Sequence, residues 1–143
     1  MNIPFVKMHA NGNDFVIIDN RSKNYLFREK KILSLSDRNT GIGFDQLILL
    51  EESKTSDIFM KIYNCDGKEV EMCGNAARCV ASLLFASNKK NEVNIQTNSS
   101  ILKTKLMKNG EISVNINLPS QNYTNFALTK KVGTKDLDFS FIH

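Results

Sequence analysis

The chain has 143 residues, of which 41% are hydrophobic and 24% are charged. This composition is typical of one globular domain and excludes a disordered or fibrous chain. The longest apolar runs, such as Leu47–Leu50, are far shorter than the ~20 residues of a membrane span, and the N-terminus does not resemble a secretory signal. We therefore expect a soluble, cytoplasmic protein with no membrane partner.

The net charge of +4 belongs to the C-terminal part of the chain. Residues 1–87 are neutral overall, and the surplus of basic side chains lies in residues 88–143. These basic residues occur singly or in pairs, such as Lys89-Lys90. A nucleic-acid interface usually shows clustered charge with aromatic side chains between the charges. We therefore expect no nucleic-acid partner.

The first half of the chain is predicted to contain four strands and one helix. Apolar, β-branched runs bounded by turn residues indicate the strands. The pattern that predicts the helix is less pronounced, with Ile32 and Leu35 as the apolar residues on one side. The predicted strands are Val6–Met8, Phe15–Asp19, Asp45–Glu51 and Ile58–Asn64, and the predicted helix is Arg28–Arg38. Residues 9–13 are predicted to form a hairpin loop, and Asp66-Gly67 a tight turn.

The second half begins with a predicted helix over Gly74–Ser87 that stops at Asn88. Apolar residues recur there at intervals of three and four, so one stripe of the helix faces a core. That stripe is Ala77, Val80, Ala81 and Leu84. Strands are then predicted at Val93–Thr97, Ile101–Met107 and Glu111–Leu118, with a turn at Asn109-Gly110, a break at 119–122 and a last strand at Leu137–Ile142. The predicted class is α+β, a curved, mostly antiparallel sheet wrapped around a central helix.

The three cysteines, Cys65, Cys73 and Cys79, do not have the spacing of a zinc site. Only His9 and His143 could supply further nitrogen ligands, so we expect no metal site. A disulfide framework is not expected in the cytoplasm.

Cys73 stands where a predicted strand ends and the second helix begins. The unpaired N–H groups and the dipole of a helix N-terminus favour a thiolate there. Gly74 has no side chain, so a carboxylate could approach the Gly74 and Asn75 amides closely. The alternative interpretation is a small buried cysteine that only packs before a helix. Cys79 points about 240° away around the helix and is predicted to be an inert packing thiol, and Cys65 beside its turn has no indicated function.

Three amide side chains lie next to predicted strands: Asn13 and Gln46 in Gly-rich segments that lead into apolar strands, and Asn64 at the end of a strand. An amide donates and accepts hydrogen bonds at once, which suits a zwitterionic ligand. The alternative is that the asparagines and glycines of these loops only form turns. The Gly41–Gly43 segment does not match a nucleotide-binding loop.

Four segments, taken together in their order and spacing, resemble diaminopimelate epimerase. They are Met8–Val16, Gly41–Gln46, Tyr63–Gly67 and Glu71–Cys79. The resemblance implies an enzyme without a cofactor that interconverts LL- and meso-diaminopimelate in lysine and cell-wall synthesis. It also implies two similar halves, each a curved sheet around a helix, with the small-molecule substrate between them.

Matched by motif, Cys73 is one of two proton-transferring cysteines in that family. Asn13, Gln46 and Asn64 correspond to amides that contact the substrate, and Gly74 and Asn75 to the backbone cradle of the reacting carboxylate. Ala76 replaces a common glycine, residues 10–11 lie in a variable part of the first loop, and cysteine is unusual at position 65. None of these departures removes a functional group.

Family members are about twice as long as this chain, and their second cysteine lies in the half that follows. The resemblance therefore implies an N-terminal epimerase domain over residues 1–118 and the truncated start of a second half over 119–143. We expect no activity from this chain alone, and a homodimer is left open. The alternatives are a proline or hydroxyproline racemase, which tends to have histidine where Asn75 stands, and a non-catalytic interaction domain of the same fold.

Overall fold

The computed structural model describes residues 2–116, which form one mixed sheet and two helices. The strands are β1 (Val6–Ala10), β2 (Asn13–Asp19), β3 (Gln46–Glu51), β4 (Ile58–Asn64), β5 (Glu69–Val70), β6 (Glu92–Gln96), β7 (Ile101–Leu106) and β8 (Ile112–Asn115). The helices are α1 (Glu29–Ser36) and α2 (Gly74–Asn88). The predicted second half over 119–143, with its break and its last strand at Leu137–Ile142, lies outside the described residues.

The strands form an eight-stranded sheet in the order β1-β2-β3-β4-β6-β7-β8, and β5 also pairs with β4. Most neighbours are antiparallel, as predicted, whereas β2 with β3 and β4 with β6 are parallel. Each parallel pair encloses a helix in the chain, α1 in the first and α2 in the second. Parallel neighbours require such a crossover, because a tight turn reverses the chain direction.

Helix α2 lies at the centre of the curled sheet. It contacts β1, β2, β6, β7 and β8, and therefore touches both ends of the strand order. All four residues of its predicted apolar stripe are buried. They pack with the residues of β2, β3 and β4 that face the helix in the larger hydrophobic core. This confirms the predicted arrangement of a curved sheet around a central helix.

A second, smaller core covers the opposite face of β2 and β3. Helix α1 contributes Ile32, which is fully buried against these two strands. Residues 15–18 of β2 and 47–50 of β3 are therefore buried on both faces. Continuous apolar runs of this kind, without alternation, are typical of central parallel strands.

The structure shifts several predicted boundaries. The first hairpin turn consists of Asn11-Gly12 alone, because Ala10 pairs with Asn13 and extends both strands. Both turn residues have positive φ, 49° and 85°, which is the requirement of the type I′ turn in a two-residue hairpin. Asn13 is therefore a strand residue rather than a loop residue. Of the predicted strand Glu111–Leu118, residues Ile112–Asn115 are observed as a strand and residues 117–118 lie outside the described residues; β5 was not predicted because it has only two residues.

Both helices end where the chain supplies local partners. Helix α1 ends at Ser36 because the next residue, Asp37, accepts backbone N–H bonds from Asn39 and Thr40 at 2.8 and 2.7 Å. Helix α2 runs one residue beyond the prediction, to Asn88. Lys89 then adopts a left-handed conformation and donates its N–H to the Phe85 carbonyl.

Candidate functional site

The three amides singled out from the sequence lie at one end of the sheet. Each continues the alternation that places side chains on the face of its strand toward α2. Two positions further into each strand, Phe15, Ile48 and Ile62 belong to the core around α2. In the strand register Gln46 pairs with both Phe15 and Asn64. The sheet therefore brings residues that are up to 51 positions apart in sequence to one edge.

Helix α2 begins at this same edge. Cys73 precedes its first turn in an extended conformation, and its Sγ accepts the Ala76 N–H at 3.4 Å. Asn75 then joins the helix to β2, because its Nδ2 donates to Asn13 Oδ1 at 2.9 Å. The half-buried thiol therefore lies at the helix N-terminus that Asn75 joins to the strand amide Asn13. This arrangement is the candidate functional site.

Gly74, the first residue of α2, lies close to the residue that follows β8. A Cβ at this position would lie 3.0 Å from Ile116 Cδ1, so a larger residue would meet the side chain that follows β8. The N–H groups of Ala76 and Ala77 are paired with Sγ and the carbonyl of Cys73. Those of Gly74 and Asn75 come earlier, where a helix has no carbonyl to offer them. These two N–H groups can therefore bind an anion.

Gln46 and Asn64 form a hydrogen-bonded pair in which Gln46 Nε2 donates to Asn64 Oδ1 at 3.0 Å. Gln46 Oε1 is buried, and no donor reaches it among the residues that the structure describes. Buried polar atoms nearly always have a partner. This oxygen can therefore accept a hydrogen bond from a cationic or N–H group of a ligand.

An ionic cluster lies behind Asn13 and Gln46, where β2 and β3 begin. Arg38 donates to both Asp14 oxygens at 2.9 and 2.8 Å and to Asp45 Oδ1 at 2.9 Å. Lys7 donates to Asp14 Oδ2 at 2.8 Å and to the Gly43 carbonyl. The Arg38 guanidinium is the main reason that the pKa of Asp14 lies well below its usual range; Lys7 and the Asp45 N–H add to the effect, and partial burial opposes it.

The other two cysteines lie in different environments. Cys79 is 3% exposed within the core, and burial raises the pKa of its thiol. This confirms its prediction as a packing residue, because the thiolate is the reactive form. Cys65 is exposed in the turn between β4 and β5. No hydrogen bond joins Cys73 to the three strand amides within residues 2–116.

The sequence predicts no role for Asp14, Arg38, Asp45 or Arg78, although all four lie in or beside the four motif segments. Arg78 donates to Asn75 Oδ1 at 2.9 Å, and Asn13 Nδ2 donates to Asp45 Oδ2 at 3.4 Å. The available signal was an aspartate at or next to the first residue of each of two strands. Over the described part of the chain no cluster of metal-ligating side chains occurs, and no helix is long and apolar enough to cross a membrane.

The sequence comparisons with known proteins identify one family. The family model described as diaminopimelate epimerase matches residues 5–120. The diaminopimelate epimerase of Pelagibacter ubique (strain HTCC1062) is 39% identical over 142 residues, which are 99% of this chain and 52% of that protein. The chain therefore spans about half the length of this curated relative.

Solved structures with a similar fold include two proteins of the PhzF family of phenazine biosynthesis. The protein from Bacillus anthracis has a TM-score of 0.54 and 20% identity, over 78% of this chain and 38% of that chain. The protein from Enterococcus faecalis has a TM-score of 0.55 and 15% identity, over 76% and 42%. At these identities the likeness shows the fold alone.

Proposed function

Because the chain belongs to the diaminopimelate epimerase family, we propose that it is the N-terminal half of an isomerase that interconverts LL- and meso-diaminopimelate. The observation that carries the proposal is the position of Cys73 directly before the N-terminus of α2, where Asn75 is hydrogen-bonded to the strand amide Asn13. The reaction would serve lysine and cell-wall synthesis in the cytoplasm and would use no cofactor.

The first requirement of this reaction is stabilisation of negative charge. The α-proton of an amino acid is a very weak acid, and its removal places charge on the neighbouring carboxylate. Donors that are already oriented toward this charge lower the barrier. The N–H groups of Gly74 and Asn75, at the beginning of α2, would supply such donors. Cys73, next to this cradle, would be the base.

The second requirement is a separate acid on the opposite face of the α-carbon. A single group that returned its own proton would restore the original configuration. In the proposed step the Cys73 thiolate takes the α-proton while a second thiol, outside the described residues, gives a proton to the other face. In the reverse direction the two groups exchange roles. Cys79 cannot be the second group, because it is buried in the core.

The strand amides would hold the substrate in the orientation that this step requires. The unpartnered Gln46 Oε1 accepts from an ammonium group. Asn64 has its oxygen engaged by Gln46, so it presents N–H donors, which suit a carboxylate. Asn13 likewise has its oxygen engaged, by Asn75. A site that alternates donors and acceptors in this way matches a zwitterionic amino acid.

The test is to incubate the full-length protein with LL-diaminopimelate in deuterated water, after dialysis against a chelator. We expect meso-diaminopimelate to form and to carry deuterium at the α-carbon, with no added cofactor. Proline and hydroxyproline are assayed in parallel. Conversion of either, without conversion of diaminopimelate, would replace the proposal with the racemase alternative. Absence of exchange from every substrate by the folded protein would favour a non-catalytic domain.

A further inference from the structure

A line of hydrogen bonds runs from helix α2 to the beginning of β3 through two side-chain amides. Arg78 Nη1 donates to Asn75 Oδ1 at 2.9 Å, and Asn75 Nδ2 donates to Asn13 Oδ1 at 2.9 Å. Asn13 Nδ2 then donates to Asp45 Oδ2 at 3.4 Å. The line therefore begins at a cation and ends at an anion.

The two charged ends determine the direction of the whole line. The oxygen and nitrogen of a carboxamide are nearly equal in size, so packing alone does not select between its two orientations. A guanidinium only donates hydrogen bonds, and a carboxylate only accepts them. If the carboxamide of Asn75 or Asn13 rotated by half a turn, its NH2 group would face another donor and its oxygen would face another acceptor. Asn11 adds a second donor to Asn75 Oδ1 at 3.2 Å.

The two ends of the line have different supports. Arg78 lies three residues after Asn75 on α2, so the two share one helix face. Asp45 accepts from Arg38 at 2.9 Å and from the Asp14 N–H at 3.1 Å. The Asp45 carboxylate is therefore fixed by partners outside the line, and the helix keeps Arg78 close to Asn75.

We propose that Arg78 and Asp45 are positioning residues that hold Asn75 and Asn13 in one orientation, so that Asn13 offers a ligand its remaining N–H rather than its oxygen. The inference rests on the proposed function for the identity of the ligand. Arg78 acts through Asn75 and not on the substrate. An N–H donor at Asn13 favours a carboxylate, whereas an exposed oxygen would repel it.

The activity test replaces Arg78 in the full-length protein by lysine, glutamine and methionine, which all have good helix propensity. Lysine keeps the charge and the donors, glutamine keeps a donor without charge, and methionine keeps neither. We expect kcat/KM for diaminopimelate to fall about tenfold in Arg78→Met, mainly through KM, less in Arg78→Gln and least in Arg78→Lys. Lys108→Met, which removes an exposed charge from the β7–β8 turn, is the matched control and should match the wild type. Equal losses in Arg78→Gln and Arg78→Met would show that only charge matters and would overturn the proposal.

A second readout is independent of catalysis. With isotope-labelled asparagine, the side-chain N–H resonances of Asn75 and Asn13 are recorded in the wild type, Arg78→Met and Asp45→Asn. We expect both amides to exchange slowly with solvent in the wild type and faster in each variant, while the backbone amides of β2 and β3 stay protected. Unchanged side-chain exchange in both folded variants would refute the positioning role, even in a protein that proved inactive on diaminopimelate.

Discussion

Asp14 and Asp45 bind each other's backbone at the point where β2 and β3 begin to pair. The Asp14 N–H donates to Asp45 Oδ2 at 3.1 Å, and the Asp45 N–H donates to Asp14 Oδ1 at 2.9 Å. Two carboxylates this close would repel each other, but Arg38 bridges them. We refer to these two reciprocal hydrogen bonds and the Arg38 bridge as the bracket. The bracket fixes where β2 and β3 begin, and therefore the positions of Asn13 and Gln46.

We predict that Asp14→Asn lowers stability at neutral pH and weakens the acid sensitivity of the fold. The pKa of Asp14 is lower in the folded state than the unfolded value of about 3.9, so protonation favours unfolding. Its contribution is complete above about pH 4 and is lost as the pH falls toward the folded-state pKa. Urea titrations between about pH 2.5 and 7 should therefore show a shallower loss of unfolding free energy in the variant.

Glu52→Gln is the control for this experiment, because Glu52 is an exposed carboxylate outside the bracket. Its titration curve should follow the wild type. If Asp14→Asn also follows the wild type throughout the acid range, the bracket does not stabilise the fold.

Alanine replacement should separate the three cysteines by function in the full-length protein. Cys73→Ala removes the proposed base, and we expect kcat to fall by at least about 10³-fold. Cys79→Ala should keep kcat but lose about 1 kcal/mol of stability, because it opens a small void in the core. Cys65→Ala should change neither, because its side chain is exposed. A folded Cys79→Ala protein without activity would contradict the assignment of the base.

Alkylation should follow the same order in the folded chain. We expect Cys73 to react fastest with iodoacetamide at about pH 7, because the beginning of α2 stabilises negative charge on its Sγ. Cys79 should react slowest, since it is buried and its pKa is raised. Peptide mass spectrometry across about pH 5 to 9 gives each rate. Faster labelling of the exposed Cys65 would show that accessibility outweighs the helix terminus.

The 143-residue chain by itself should not turn over LL-diaminopimelate, because the proposed step needs an acid on each face of the α-carbon. We expect meso product to remain at background level over hours at high protein concentration. Adding the remainder of the protein as a separate chain should restore conversion that depends on Cys73. Turnover by the isolated chain that is lost in Cys73→Ala would disprove the need for a second group from elsewhere.

Local pattern in the sequence was sufficient to predict the longer elements and to select the candidate residues. The apolar stripe of α2 and the strand Ile58–Asn64 were predicted with little or no error, because alternation and helical spacing are properties of neighbouring residues. The same alternation carries Gln46 and Asn64 on the face toward α2, whereas Asn13, expected in the hairpin loop, joins β2 only in the structure. The position of Cys73 directly before a helix was also predicted, because the start of a helix depends on local composition. Their proposed role in binding and catalysis remains a prediction.

Only the tertiary structure decided which of these segments meet. The parallel pairing of β2 with β3 and of β4 with β6 depends on crossovers, and alternation within a strand is the same for either direction. The Arg38 bridge between Asp14 and Asp45 and the bond between Asn75 and Asn13 join residues that are 7 to 62 positions apart. A hydrogen bond needs its two atoms about 3 Å apart, and that separation is set by the register of packed elements rather than by local sequence.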